Sequence, residues 1–63
     1  MINKYDKVKL SDGKFAVIVE ILEPQRAYIA DVESSVGDYS TETITYSDIA
    51  AIMIEVEQPI SRG

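Results

Sequence analysis

The chain contains no cysteine, no histidine and no tryptophan. Without cysteine it has neither a disulfide staple nor a thiolate nucleophile. Without histidine it lacks the imidazole that most often serves as acid, base or metal ligand near neutral pH. Its longest apolar runs, Phe15–Val19 and Ile49–Ile54, fall far short of the roughly 20 residues that span a bilayer. Residues 1–6 lack the apolar stretch of a secretion signal. No membrane partner is expected, and a cysteine-free chain suits a reducing compartment, so a cytoplasmic location is predicted. Positive charge is scarce, with six Lys and Arg against eleven Asp and Glu for a net charge of −5. Nucleic-acid binding rests on clustered Lys and Arg, so nucleic acid is not the expected partner.

What is present describes one small domain, residues 1–63, with its core at about residues 4–57 and a tail at 58–63 that should fray. Hydrophobic residues make up 46% and charged residues 27%, as in ordinary folded domains. A chain this short buries only about 60% of its unfolded surface, so its core is small.

The apolar spacing has a period near two, with β-branched and aromatic enrichment, and predicts strands. Over Tyr5–Leu10, Val8 and Leu10 share one face and Lys7 and Lys9 the other. Ser11-Asp12-Gly13-Lys14 reads as a hairpin turn, since Asp-Gly tolerates the positive φ of tight turns. Phe15–Leu22 opens with five consecutive apolar residues, which predicts a central strand covered on both faces, with Glu20 its one wet position. Glu23-Pro24-Gln25-Arg26 is a second turn, because Pro24 has no ladder donor. In Ala27–Glu33, Tyr28, Ala30 and Val32 face one way and Ile29, Asp31 and Glu33 the other. After a loop at Ser34–Asp38, Tyr39–Thr45 is a β-branched fourth strand. Ser47 is placed to cap one helical turn at Asp48–Ala50. Ile52–Glu57 is the fifth strand, with Ile52, Ile54 and Val56 on one side and Met53, Glu55 and Glu57 on the other. Five short strands with a helical turn before the last predict an all-β fold, a small five-stranded barrel that hides its edges by closing on itself. The rival is a flat antiparallel meander that buries one face by dimerising.

The segments Tyr5-Asp6-Lys7-Val8-Lys9-Leu10 and Ala16-Val17-Ile18-Val19-Glu20-Ile21 resemble the opening of SH3-like barrels of the KOW type. Ala27–Glu33 followed by Thr43-Ile44-Thr45-Tyr46-Ser47-Asp48-Ile49 is similar to small bacterial SH3-like domains of uncharacterised function. Ala16 stands where that pattern usually has glycine, and the first loop is short. The resemblance implies an SH3-like barrel, no catalytic residues, and a stand-alone role of the antitoxin or immunity-partner kind.

From Phe15 to Ile60 there are nine acids (Glu20, Glu23, Asp31, Glu33, Asp38, Glu42, Asp48, Glu55, Glu57) and one base, Arg26. Pairs two apart on a strand, Asp31 with Glu33 and Glu55 with Glu57, share a face and would dock a basic partner. The plainer reading is a solvated face that keeps the domain soluble. No Asp-rich loop with calcium-ligand spacing occurs, and neither metal nor cofactor is expected. Lys4, Lys7, Lys9 and Lys14 lie beside Tyr5 and Phe15, an arrangement that suits RNA contact or simply protects a sheet edge. Of the tyrosines, Tyr28 and Tyr46 are expected inside and Tyr5 and Tyr39 as half-exposed contacts of the kind interfaces favour. The hydroxyl-rich stretch Ser40–Ser47 has no base at a useful spacing for a nucleophile, and no glycine-rich phosphate loop is present.

These features point away from an enzyme and toward a protein-interaction module of the antitoxin or immunity type whose partner is a basic protein. Asp31, Glu33, Glu55 and Glu57 form its acidic surface and Tyr39 its anchor. The alternatives are an RNA-binding KOW-like barrel and a subunit that associates with its own copies through Ile29, Met53 or Ile44.

Overall fold

The structure, a computed structural model, describes residues 2–53. It is all-β. Strands β1 (Lys7–Leu10), β2 (Phe15–Glu23), β3 (Ala27–Ser35) and β4 (Asp38–Thr45) are followed by a 3₁₀ turn (Tyr46–Asp48) and strand β5 (Ile49–Met53). All neighbours pair antiparallel, in the order β4-β3-β2-β1-β5. The sheet is open among the described residues, since β4 and β5 are its two edges and no ladder joins them. The expected closed barrel is therefore met only in its strand content and order of elements. The Ile54–Glu57 part of the expected last strand, with Glu55 and Glu57, lies outside the described residues.

Each connection follows from local chemistry. Gly13 takes φ 94°, its N–H donates to the Leu10 carbonyl at 2.9 Å, and the Asp12 carboxylate accepts from the Lys14 N–H at 3.0 Å. In the second turn Pro24 presets the first corner and Gln25 takes φ 63°, closed by the Arg26 N–H on the Glu23 carbonyl at 2.9 Å. The third is a two-residue reversal, Val36-Gly37, tighter than the expected loop. Strand β1 begins at Lys7 rather than Tyr5, because residues 3–6 form a turn. There the Asn3 N–H meets the Asp6 carboxylate at 2.9 Å and Tyr5 takes φ 71°.

The helical turn lies two residues earlier than expected, and its cap is not Ser47. The Asp48 carboxylate accepts from both the Thr45 N–H (2.9 Å) and the Thr45 hydroxyl (3.1 Å), which seats the turn at Tyr46–Asp48. Ser11 binds this turn to the first hairpin, its N–H and hydroxyl donating to the Asp48 carbonyl at 2.8 and 3.1 Å. Ile49 is then free to start β5, opposite Leu10.

One face of the sheet carries the core: Val8, Leu10, Ala16, Ile18, Tyr28, Ala30, Val32 and Ile44, joined by Ile2, with Ile21 and Ile49 packed against them. Strand β2 is not covered equally on both faces, as its apolar run suggested. A bulge at Val19 breaks its alternation, since Ile18 pairs with Ala30 but Glu20 with Ile29 and Ile21 with Tyr28. The extra residue flips the strand's parity, so Ala16, Ile18 and Ile21 all reach one core. Glu20 is not the strand's only wet position, because Leu22 and Glu23 are also exposed.

Tyr28 is 1% exposed, and its hydroxyl accepts the Gln25 N–H at 3.0 Å, tying the core to the second turn. Tyr46, expected inside, is 51% exposed because the 3₁₀ turn holds it off the sheet. Ile44, offered as a surface residue, is buried against Tyr28.

Two substitutions test this account by urea denaturation. Gln25→Gly relieves a left-handed backbone and should raise stability by about 0.5–1 kcal/mol, net of the entropy glycine adds to the unfolded chain. Tyr28→Phe keeps the ring but loses the bond to Gln25 and should lower stability by about 1 kcal/mol.

Candidate docking face

The face opposite the core is set by strand register. From edge to edge, one row reads Tyr39, Glu33, Phe15, Lys9, Ala51 and the next Thr41, Asp31, Val17, Lys7, Met53. These ten side chains form columns of like chemistry: tyrosine and threonine on β4, two carboxylates on β3, two apolar groups on β2, two lysines on β1, and Ala51 with Met53 on β5. The expected trio Asp31, Glu33 and Tyr39 is therefore brought together, with Tyr39 directly across from Glu33.

Both carboxylates are part-buried, whereas Tyr39 is 60% exposed. Asp31 is held by the Thr41 hydroxyl, which donates to its Oδ1 at 2.7 Å. Phe15 and Val17 are part-buried at the centre of the sheet, and Lys7 Nζ lies 5.4 Å from the centre of the Phe15 ring, a cation–π contact. Lys7, Phe15, Val17, Glu33 and Tyr39 line a shallow depression of about 80 Å³.

The ion pairs of the described residues lie elsewhere: Lys4 with Glu20 at 3.9 Å, Lys14 with Asp12 at 3.8 Å and Arg26 with Glu23 at 3.5 Å. Among the described residues none of Lys7, Lys9, Asp31 and Glu33 forms one. The lysines and the carboxylates occupy strands two apart, roughly 9–10 Å at the usual strand spacing, with the apolar column of β2 between them.

Strand alternation alone does not reveal that Lys7, Lys9, Phe15 and Val17 belong to this face. The first hairpin decides it: its reversal takes three residues, Ser11–Gly13, one fewer than the expected Ser11–Lys14, so Leu10 pairs with Lys14 and Lys9 stands opposite Phe15. The face is thus banded by charge, not purely acidic. Glu55 and Glu57, the other expected acids, lie outside the described residues. Among the described residues no cluster of acids is arranged to hold a metal ion, and no helix is long and apolar enough to cross a membrane.

Comparison with protein-family models, with curated proteins and with solved structures finds no match to the chain.

Asp31 and Glu33 support no core contact, so reversing both to lysine should leave the fold intact. The double variant should show the wild-type far-ultraviolet spectrum and lose no more than about 1 kcal/mol in urea denaturation.

Proposed function

We propose that this chain is a non-enzymatic protein-interaction module of SH3-like, KOW-type architecture, and that it docks cationic side chains of a partner protein on the outer face of its sheet. The observation that carries this reading is the juxtaposition of Asp31, Glu33 and Tyr39 with Phe15 and Val17 on one face. Two carboxylates that form no ion pair among the described residues, Asp31 held by the Thr41 hydroxyl, stand beside an apolar centre and an exposed aromatic anchor. Protein interfaces favour such a combination of aromatic area with complementary charge.

The SH3-like part of the proposal is supported by the strand order β4-β3-β2-β1-β5, by the 3₁₀ turn before β5 and by the bond from that turn to Ser11. A depression lined by Leu10, Ser11, Asp12, Glu42, Thr43, Ile44 and Asp48 sets the first hairpin beside β4, as a strongly curled sheet would. An antitoxin or immunity role agrees with the family resemblance. Nucleic acid is the weaker reading, since Lys4 and Lys14 already face Glu20 and Asp12, and Lys7 and Lys9 share their rows with Asp31 and Glu33, which would repel phosphate. Catalysis has little to draw on in a chain without histidine or cysteine.

The test is affinity capture from nuclease-treated extract at low and moderate salt, with wild-type and Asp31→Lys/Glu33→Lys proteins side by side. A protein partner should be held by the wild type, more weakly as salt rises, and lost by the double variant. Each exposed pair contributes at most about 1 kcal/mol, so the reversal must turn two attractions into repulsions to act strongly. A partner held equally by both proteins would remove the acidic face from the account. Material captured only without nuclease would move the reading to RNA or DNA.

A further inference from the structure

Taking the outer face as a docking surface, as proposed above, we infer that its occupant is a second copy of this chain, packed face to face across β2. The columns are symmetric about β2. Carboxylates on β3 and lysines on β1 lie at equal distance on either side of Phe15 and Val17, in matching rows: Glu33, Phe15 and Lys9 in one, Asp31, Val17 and Lys7 in the other.

A two-fold axis parallel to β2 and lying above it exchanges left for right but preserves rows. It sets Lys9 over the partner's Glu33 and Lys7 over the partner's Asp31, and the reciprocal contacts follow from symmetry. Phe15 and Val17 meet their own copies at the centre. A two-fold axis perpendicular to the strands would instead stack lysine on lysine and carboxylate on carboxylate. The charge pattern therefore selects one of the two simple face-to-face arrangements.

The individual groups are suited to this. Lys7 and Lys9 are exposed, no ion pair within the described residues engages them or the two carboxylates, and Thr41 already orients Asp31. Phe15 and Val17 are part-buried on a face that no other described element covers. Because the sheet curls, the columns of β1, β2 and β3 make the contact, and three strands at about 4.8 Å by two outward rows give a patch of roughly 200 Å² per copy, smaller than standard stable interfaces. The dimer should accordingly be weak, reversible and sensitive to salt.

Sedimentation equilibrium of the full chain over a wide concentration range tests this, with two charge-swapped variants. Wild type should pass from monomer to dimer as concentration rises, and added salt should shift the transition upward. Lys7→Glu/Lys9→Glu and Asp31→Lys/Glu33→Lys should each weaken self-association by about tenfold or more, because the symmetric dimer contains each pair twice. Mixed in equal amounts, the two variants should re-form a heterodimer, an outcome that misfolded proteins would not give. A wild type that stays monomeric throughout, swapped variants that self-associate like wild type, or a mixture that stays monomeric would each overturn the inference.

The capture experiment separates this failure from failure of the docking face itself. If wild type is monomeric, Lys7→Glu/Lys9→Glu keeps an extract partner and Asp31→Lys/Glu33→Lys loses it, the face stands and its occupant is a different basic protein. If Asp31→Lys/Glu33→Lys also keeps that partner, both proposals fall.

Discussion

The pairing of β2 with β3 sets both faces of the sheet at once. Inward, it stacks Ala16 on Val32, Ile18 on Ala30 and Ile21 on Tyr28, and these pairs form the centre of the core. Outward, the same register fixes Phe15 beside Glu33 and Val17 beside Asp31. Because side chains alternate with a period of two, neither set can be chosen independently of the other. The bulge at Val19 reconciles a continuous apolar run with a core on only one side. It lets Ile21 join Tyr28 and sends Glu20 outward, where Lys4 meets it. A slip of one residue between β2 and β3 would bury Asp31 and Glu33 and expose Tyr28, at a cost a domain this small could not absorb.

Much of this was legible in the sequence where one strand alone carries the information. The alternation of Tyr28, Ala30 and Val32 against Asp31 and Glu33, and of Val8 and Leu10 against Lys7 and Lys9, follows from spacing and appears in the structure. The Asp12-Gly13 and Pro24-Gln25 turns follow from backbone chemistry. What was not legible depends on a second element. The bulge at Val19 is defined only against β3. The place of Tyr46 depends on a cap in which Asp48, not Ser47, holds Thr45. Strand β5 starts at Ile49, the first residue of an apolar run to Ile54 that has no polar residue within it to tell strand from helical turn. For the candidate site, the trio Asp31, Glu33 and Tyr39 was readable from β3 and the hairpin after it. The lysine column needed the register of three strands at once.

Such banding has an energetic logic. Lysines and carboxylates on adjacent strands would pair within one molecule and leave little unsatisfied attraction for a partner. Separated by β2, they form no ion pair with each other, and an approaching charged surface would gain Coulomb energy without first breaking one. In the proposed association the apolar column between them would supply the non-directional part, and the carboxylates and lysines the orientation. Thr41 contributes by holding one carboxylate in a fixed direction, which lowers the entropy lost when it engages a cation.

The two edges of the sheet bear on why its face, rather than a free strand, is the better surface for association. Strand β4 is eight residues long and would offer an inviting template for another chain. It carries Asp38 near its start and Glu42 on the face opposite Tyr39, with Ser40 donating to Glu42 at 2.7 Å. If two β4 edges paired antiparallel about a point near Ser40, Asp38 and the partner's Glu42 would be brought together as like charges, a cross-strand pairing that destabilises. In that register, edge association through β4 is discouraged by the same residue class that, one strand inward on the outer face, would be matched by lysines in the proposed dimer. Specificity here is a difference between arrangements, set by repulsion in the wrong one as much as by attraction in the right one.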